Sequence, residues 1–335
     1  MVIRLILGFV LAYLLALVGV PMARRAALNF GVVDRPDGGL KTQKEPVPYL
    51  GGMAVFASFL LALGMTFELD HDLLGLLLAS SIVATIGLID DFGVLTPKAK
   101  VMGQLVAIFV LMRAGVSVHI AILPVWLQIV ITLVWLVGMS NAFNLVDIMD
   151  GLAAGLGVIS AGFLLVVASL NGRWVVAAFT VAMIGSLLGF LKLNFFPAKI
   201  YLGDTGSLFI GLALGALAMV MDYTRHNPLG WIAPLFMLAL PIVDTAYVTV
   251  LRLKAGRKVY HGSPDHFPLR LRRRFGGDTV KTVLAAYGAA VVCGSVGLLI
   301  MYLEPAETVI VTVVSAVLGL AVLVWLARVD MEKPS

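Results

Sequence analysis

Charge is scarce in this sequence. Asp, Glu, Lys and Arg make up 13% of its 335 residues, about half their share in a soluble globular protein. Cysteine is scarcer still: Cys293 stands alone in an apolar run, which excludes an intramolecular disulfide. No tandem repeat, low-complexity tract or polar segment of domain length interrupts the chain. The first apolar run lacks a small-residue cleavage site and is followed directly by Arg24 and Arg25, so it reads as a retained span, not a signal peptide.

What fills the chain is hydrocarbon. Hydrophobic residues are 61% of the total and the mean hydropathy is +1.03. Apolar spans fall near 3–23, 48–67, 73–89, 101–118, 122–140, 152–170, 174–191, 206–223, 230–251, 280–302 and 307–327. Each is close to the ~20 residues that cross a bilayer as a helix. The pattern predicts an all-α, polytopic integral membrane protein of about eleven helices, forming one transmembrane domain over 1–335. Its connectors near 24–47, 90–100, 192–204, 252–281 and 328–335 carry 20 of the 24 Lys and Arg, and only Arg4, Arg113, Arg173 and Arg225 lie elsewhere. By the positive-inside rule this predicts an outside N-terminus and a cytoplasmic C-terminus. The formal net charge of +5 is then mostly topology, and no nucleic-acid partner is implied.

The acidic residues sort by face. Glu68, Asp70, Asp72, Asp222, Glu304 and Glu307 fall in short external connectors, where solvated charge is ordinary. Asp90, Asp91, Asp147, Asp150 and Asp204 instead stand at predicted cytoplasmic ends of spans, in "GLIDDFG", "NAFNLVDIMDGLAAG" and "NFFPAKIYLGDTGS". One such carboxylate is a normal helix cap. Five on one face repel one another unless a cation joins them. Mg²⁺, which takes oxygen ligands and recruits substrate phosphates, meets that need.

Basic and amide groups share the face. Lys41, Lys44, Lys98, Lys100 and Lys199 are point charges suited to phosphate. The GDTGS turn at 203–207 opens a span, so its N–H groups are expected to meet an anion. Asn141, Asn144 and Asn194 stand at the membrane edge. The largest cytoplasmic connector, "KVYHGSPDHFPLRLRRRFGG", holds His261, His266 and the basic run from Arg270 to Arg274, a set suited to pyrophosphate. Asp244, inside a span, is expected to pair with Arg252 or another basic residue on its face.

Together these segments resemble the polyprenyl-phosphate N-acetylhexosamine-1-phosphate transferase superfamily. The resemblance rests on "DRPDGGLKTQKEPVPYLGG" at 34–52, "GLIDDFG" at 87–93, "NAFNLVDIMDGLAAG" at 141–155, "NFFPAKIYLGDTGSLFIG" at 194–211 and "HGSPDHFPLRL" at 261–271. It departs from the family at Ile148, where a Gly is usual, and at His261 and His266, which lie five apart where the family has a tight cluster. "EPVPYLGG" and "PIVDTAYVTVLR" look like the branch that transfers N-acetylglucosamine 1-phosphate to undecaprenyl phosphate.

The resemblance implies an enzyme that moves a sugar 1-phosphate from a UDP-N-acetylhexosamine to a polyprenyl phosphate, with release of UMP. It would act as the first membrane step of a cell-envelope polysaccharide such as lipopolysaccharide. Its site would lie on the cytoplasmic face of a bacterial inner membrane, in loops near 24–47, 90–100, 141–151, 192–205 and 252–280. Mg²⁺ is the implied cofactor, with Mn²⁺ as a substitute, and a homodimer is the assembly to test. Asp90, Asp91 and Asp147 are implied as catalytic, and Asp204 and Asp90 as metal ligands. Lys44, Lys100, Asn144, Asp150, Asn194, Tyr201, His261, His266 and Arg270 are implied for substrate, with Tyr201 stacking on uracil and Asp150 nearest to it. Direct attack by the lipid phosphate and a two-step route through an aspartyl intermediate both fit the residues. The alternatives are a phospho-N-acetylmuramoyl-pentapeptide transferase and, from another class, a secondary transporter, which would also place carboxylates among membrane helices.

Overall fold

The computed structural model describes residues 1–34, 46–68, 71–120, 123–254, 256, 265–329 and 331, with the backbone alone at 71–73. Packing divides the chain into two compact units, Met1–Met221 and Asp222–Ser335, a finer division than the one domain read from the sequence.

The first unit holds eight helices: α1 (Val2–Phe30), α2 (Gly51–Thr66), α3 (His71–Asp91), α4 (Pro97–Arg113), α5 (Val125–Val146), α6 (Leu152–Leu170), α7 (Trp174–Asn194) and α8 (Gly203–Met219). Between α1 and α2 runs a short antiparallel ribbon, β1 (Val33–Asp34) against β2 (Val47–Pro48). All these helices coincide with expected spans, but two ends differ in a way that matters. α1 runs on to Phe30, so Arg24 and Arg25 are helical. α3 includes Asp90 and Asp91, so the acidic pair is fixed on a helix rather than placed in a connector.

Small residues hold these helices together, as they do where lipid offers no hydrophobic drive to association. In α7, Gly185 and Gly189 lie one turn apart and lean on Phe9, Ala12 and Ala16 of α1 so closely that a Cβ at either position would strike it. α8 is the hub. It packs against α2, α3, α5 and α6 and is buried without a break from Thr205 to Ala218. A helix apolar all round and enclosed by protein does not have to match the bilayer thickness, which accounts for its 17 residues.

The second unit begins with a broken span. A short 3₁₀ turn (Gly230–Ile232) leads into α9 (Ala233–Met237), and α10 (Ala239–Lys254) follows. The two parts of the span expected at 230–251 are bent by 76°. Pro241 sits in the first turn of α10, where its missing N–H is tolerated, and it cannot continue a helix arriving from α9. α11 (Phe267–Arg274), α12 (Thr279–Ile300) and α13 (Pro305–Ala327) complete the unit, with α12 packed on α9, α10 and α11. By length and composition, seven helices among the described residues are able to cross a membrane, or eight if the bent pair counts as one span. α2, α4 and α8 are shorter, at 16 or 17 residues.

Candidate active site

The α3–α4 hairpin brings the first two groups together. Thr96 caps α4 by accepting a hydrogen bond from Ala99 N at 3.3 Å, and Pro97 opens the helix. Lys100 therefore lies one turn inside α4. Its Nζ is 2.8 Å from Asp90 Oδ2 and also contacts Asp204 Oδ2. The carboxylates of Asp90 and Asp204 are within hydrogen-bonding reach of each other. Asn144, near the end of α5, donates Nδ2 to Asp204 Oδ1 at 2.8 Å and to Ser207 Oγ at 3.0 Å, while Lys100 Nζ reaches its Oδ1 at 3.4 Å. Four helices thus converge on two carboxylates and one ammonium, all partly open to solvent.

Asp91 turns away from this group, because successive helical residues project about 100° apart. Its Oδ1 accepts a hydrogen bond from Asp204 N at 2.7 Å. Its Oδ2 accepts from Thr205 N at 3.1 Å and from Thr205 Oγ1 at 2.6 Å. The first N–H groups of the GDTGS turn, expected to meet an anion, thus meet one from within the chain. Gly203 makes room for it: at φ 71° it lies where a Cβ would press on the Asp91 carboxylate at 2.7–3.0 Å.

The loop after α5 adds further acids. Asp147 ends that helix, and its carboxylate makes no hydrogen bond among the described residues. Burial, reinforced by the carboxylates of Asp204, Asp91 and Asp150, pushes it up to about 8. Asp150 Oδ2 accepts from Ala198 N at 2.9 Å. Asn194 is buried and spends both ends of its amide on backbone: Oδ1 accepts from Gly151 N at 3.0 Å, and Nδ2 donates to Ile200 O at 3.0 Å. It therefore staples the 147–151 loop to the 195–202 loop. Tyr201 is half-buried beside this staple. Burial and the carboxylates of Asp150, Asp34 and Asp147 push its hydroxyl up to about 12.

Two neighbours of Tyr201 escaped the sequence reading. Tyr49 packs against it with ring centroids 6.1 Å apart, tilted by 55°. The Tyr49 hydroxyl is hydrogen-bonded to the buried Asp34 of β1, and its pKa is raised by burial and by that carboxylate. The segment is laced to the 201–202 loop by Tyr201 N to Pro48 O at 2.8 Å and Gly52 N to Leu202 O at 2.8 Å. A Cβ on Gly52 would collide with the backbone of Gly206, and one on Gly51 with Phe190 of α7 and the Tyr201 carbonyl, so the Gly pair serves close packing of α2 on α8 and α7. The available signal was Tyr49 standing two residues before that pair.

Four sequence candidates remain. Lys44 and His261 are outside the described residues. In the second unit, the buried Asp244 takes His266 Nδ1 at 2.7 Å and Phe267 N at 2.9 Å, so its expected basic partner is a His from the connector. Arg270 is bound to Asp265 at 2.7 Å and reaches the carbonyls of Leu326, Ala327 and Val329 at 3.4, 3.2 and 2.9 Å. Its guanidinium closes the end of α13.

Among the described residues, no three His, Cys, Asp or Glu side chains stand close enough to hold an ion alone. The donors that do converge, Asp90, Asp204 and Asn144 Oδ1, are all hard oxygens. Two carboxylates, with remaining positions left to water and phosphate, is the donor set that suits Mg²⁺.

Residues 73–222, which include this cluster, match the glycosyl transferase family 4 model. Over 296 residues the chain is 31% identical to the probable undecaprenyl-phosphate N-acetylglucosaminyl 1-phosphate transferase of Bacillus subtilis, covering 85% of this chain and 82% of that protein. It is 36% identical over 294 residues to the phospho-N-acetylmuramoyl-pentapeptide-transferase of Halalkalibacterium halodurans, covering 79% and 87%. It is 30% identical over 338 residues to the decaprenyl-phosphate N-acetylglucosaminephosphotransferase of Mycolicibacterium smegmatis, covering 89% and 82%.

Proposed function

The chain belongs to glycosyl transferase family 4, and from that premise we propose that it transfers N-acetylglucosamine 1-phosphate from UDP-N-acetylglucosamine to undecaprenyl phosphate, releasing UMP. The observation that carries this reading is the Asp90–Lys100–Asp204–Asn144 cluster, lying inside the family match.

The chemistry is phosphoryl transfer. An oxygen of the lipid phosphate bonds to the β-phosphorus of the donor. The bond from that phosphorus to the bridging oxygen breaks, and UMP leaves with the electron pair. Two anions must meet, so charge and alignment make up most of the barrier. Lys100 brings positive charge to the meeting point. Asp90 accepts the last proton of the lipid phosphate or holds the attacking group in line through Lys100. Tyr201 offers an aromatic face to uracil, and Asp150 lies beside it. His261 and His266 are proposed for the sugar end on the resemblance alone. Asp204 and Asp90 would hold Mg²⁺, and Mn²⁺ in its place. When bound, the ion neutralises diphosphate charge.

The apolar helices support a multi-pass membrane protein, and relatives named for undecaprenyl or decaprenyl phosphate agree with it. We extend this to a bacterial inner membrane on the resemblance, to about eleven passes on the apolar spans, and to an outside N-terminus and a cytoplasmic site on the Lys and Arg distribution. Purified protein should release UMP only when UDP-N-acetylglucosamine and undecaprenyl phosphate are both present. Release without lipid would mark a hydrolase instead.

Identity of 36% to a pentapeptide transferase gives the peptidoglycan reading a specific footing. Competition between UDP-N-acetylglucosamine and the UDP-muramoyl-pentapeptide separates the two. The proposed reading requires turnover of the peptide-free donor, and preference for the pentapeptide donor would replace it.

A further inference from the structure

Asp90 and Asp91 invite one shared role because they are adjacent. Their partners say otherwise. Asp90 faces Lys100 and Asp204. Asp91 spends both oxygens on the first turn of α8, through Asp204 N, Thr205 N and Thr205 Oγ1.

α8 needs such a partner. Its N-cap position is Leu202, which offers no side-chain acceptor, while a helix start leaves its first N–H groups unmet. Inside a membrane protein, unmet backbone groups are costly. A carboxylate at a helix N-terminus also meets the positive end of the helix dipole. The approach is prepared on both sides. At Gly87 a Cβ would come within 2.5 Å of Asp204 O and Thr205 Cα, and at Gly203 one would press on the Asp91 carboxylate. α3 therefore lies directly on the start of α8. The residue held there is Asp204, whose side chain meets Lys100 and Asn144.

We propose that Asp91 is a positioning residue. It serves as the N-cap of α8, supplied from α3, and acts on the transfer reaction by fixing the backbone of Asp204, without touching substrate or taking up a proton. The inference rests on the transfer reaction proposed above, and two readouts keep the failure of one apart from the failure of the other.

The first readout is amide hydrogen exchange of the 203–207 turn, which needs no substrate. Asp91→Asn and Thr205→Val should each speed exchange there by about tenfold or more, while Asp90→Asn leaves it unchanged. Parent-like exchange in Asp91→Asn overturns the inference whatever the protein catalyses.

The second readout is steady-state kinetics. Thr205→Val, which deletes one of the three bonds, should lower kcat by about tenfold with donor KM nearly unchanged, and Thr205→Ser should restore it. Asp91→Asn should lower kcat further without moving the acid limb of the pH profile. The double variant Asp91→Asn/Thr205→Val should be scarcely worse than Asp91→Asn alone. A shifted acid limb in Asp91→Asn, or losses that multiply in the double variant, would make Asp91 a proton-transfer group and overturn the assignment.

Discussion

Lys100 Nζ stands 2.8 Å from Asp90 Oδ2 and touches Asp204 at the same time, one ammonium between two carboxylates. Taking it away leaves like charges facing each other in a partly desolvated site. Lys100→Met is expected to cut UMP release by about a hundredfold or more. Lys100→Arg should recover only part of it, because the planar guanidinium does not replace a compact ammonium. Activity of Lys100→Met within about threefold of the parent would remove Lys100 from the mechanism.

Asp147 makes the stability depend on pH. Its pKa is raised from 3.8 to about 8, so the folded protein holds a proton there that the unfolded chain has released. Stability from this group is then full near pH 4 and declines up to about pH 8. Asp147→Asn should leave the melting temperature unchanged near pH 4, and the gain over the parent should grow until about pH 8. Thermal melts in detergent without divalent cations across that range are the check. A gain that is constant with pH would remove the proton from the account.

Asn194 joins two loops through Gly151 N and Ile200 O. Asn194→Ala orphans both backbone groups and should cost about 2–3 kcal/mol of stability. Donor KM should rise as well, since Asp150 and Tyr201 lie in the loops it joins. A melting temperature equal to the parent's would contradict the staple.

Tyr201 separates ring from hydroxyl. Tyr201→Phe should keep the donor KM within about twofold, while Tyr201→Ala should raise it about tenfold, because an aromatic face rather than an O–H meets the base. Equal KM values for Ala and Tyr at this position would remove the stacking role.

Part of this was legible in the sequence because residue type and position at the end of an apolar span are properties of pattern. Asp90, Lys100, Asn144 and Asp204 were chosen on those grounds, and the structure brings them together. The separate duty of Asp91 was not legible, since adjacency along the chain hides a turn of about 100° around a helix. Asp34 and Tyr49 were not singled out because one ends β1 and the other follows β2, and strands of two residues are too short to show any period. Arg270 read as a grip for pyrophosphate within a basic run. The carbonyls that occupy it arrive from Leu326, Ala327 and Val329, far along the chain. The span at 230–251 read as continuous by its apolar content, although Pro241 stood inside it.

The most direct test of the central claim follows label from donor to lipid. Membranes or purified protein are given UDP-N-acetylglucosamine radiolabelled in the sugar together with undecaprenyl phosphate, with and without Mg²⁺, and the butanol-extractable lipid is counted. The account predicts label in the lipid with Mg²⁺ and almost none without it. Asp204→Asn, folded as judged by its melting temperature, should transfer none. Label that stays in the aqueous phase for the parent protein, or that enters the lipid equally in Asp204→Asn, would contradict it.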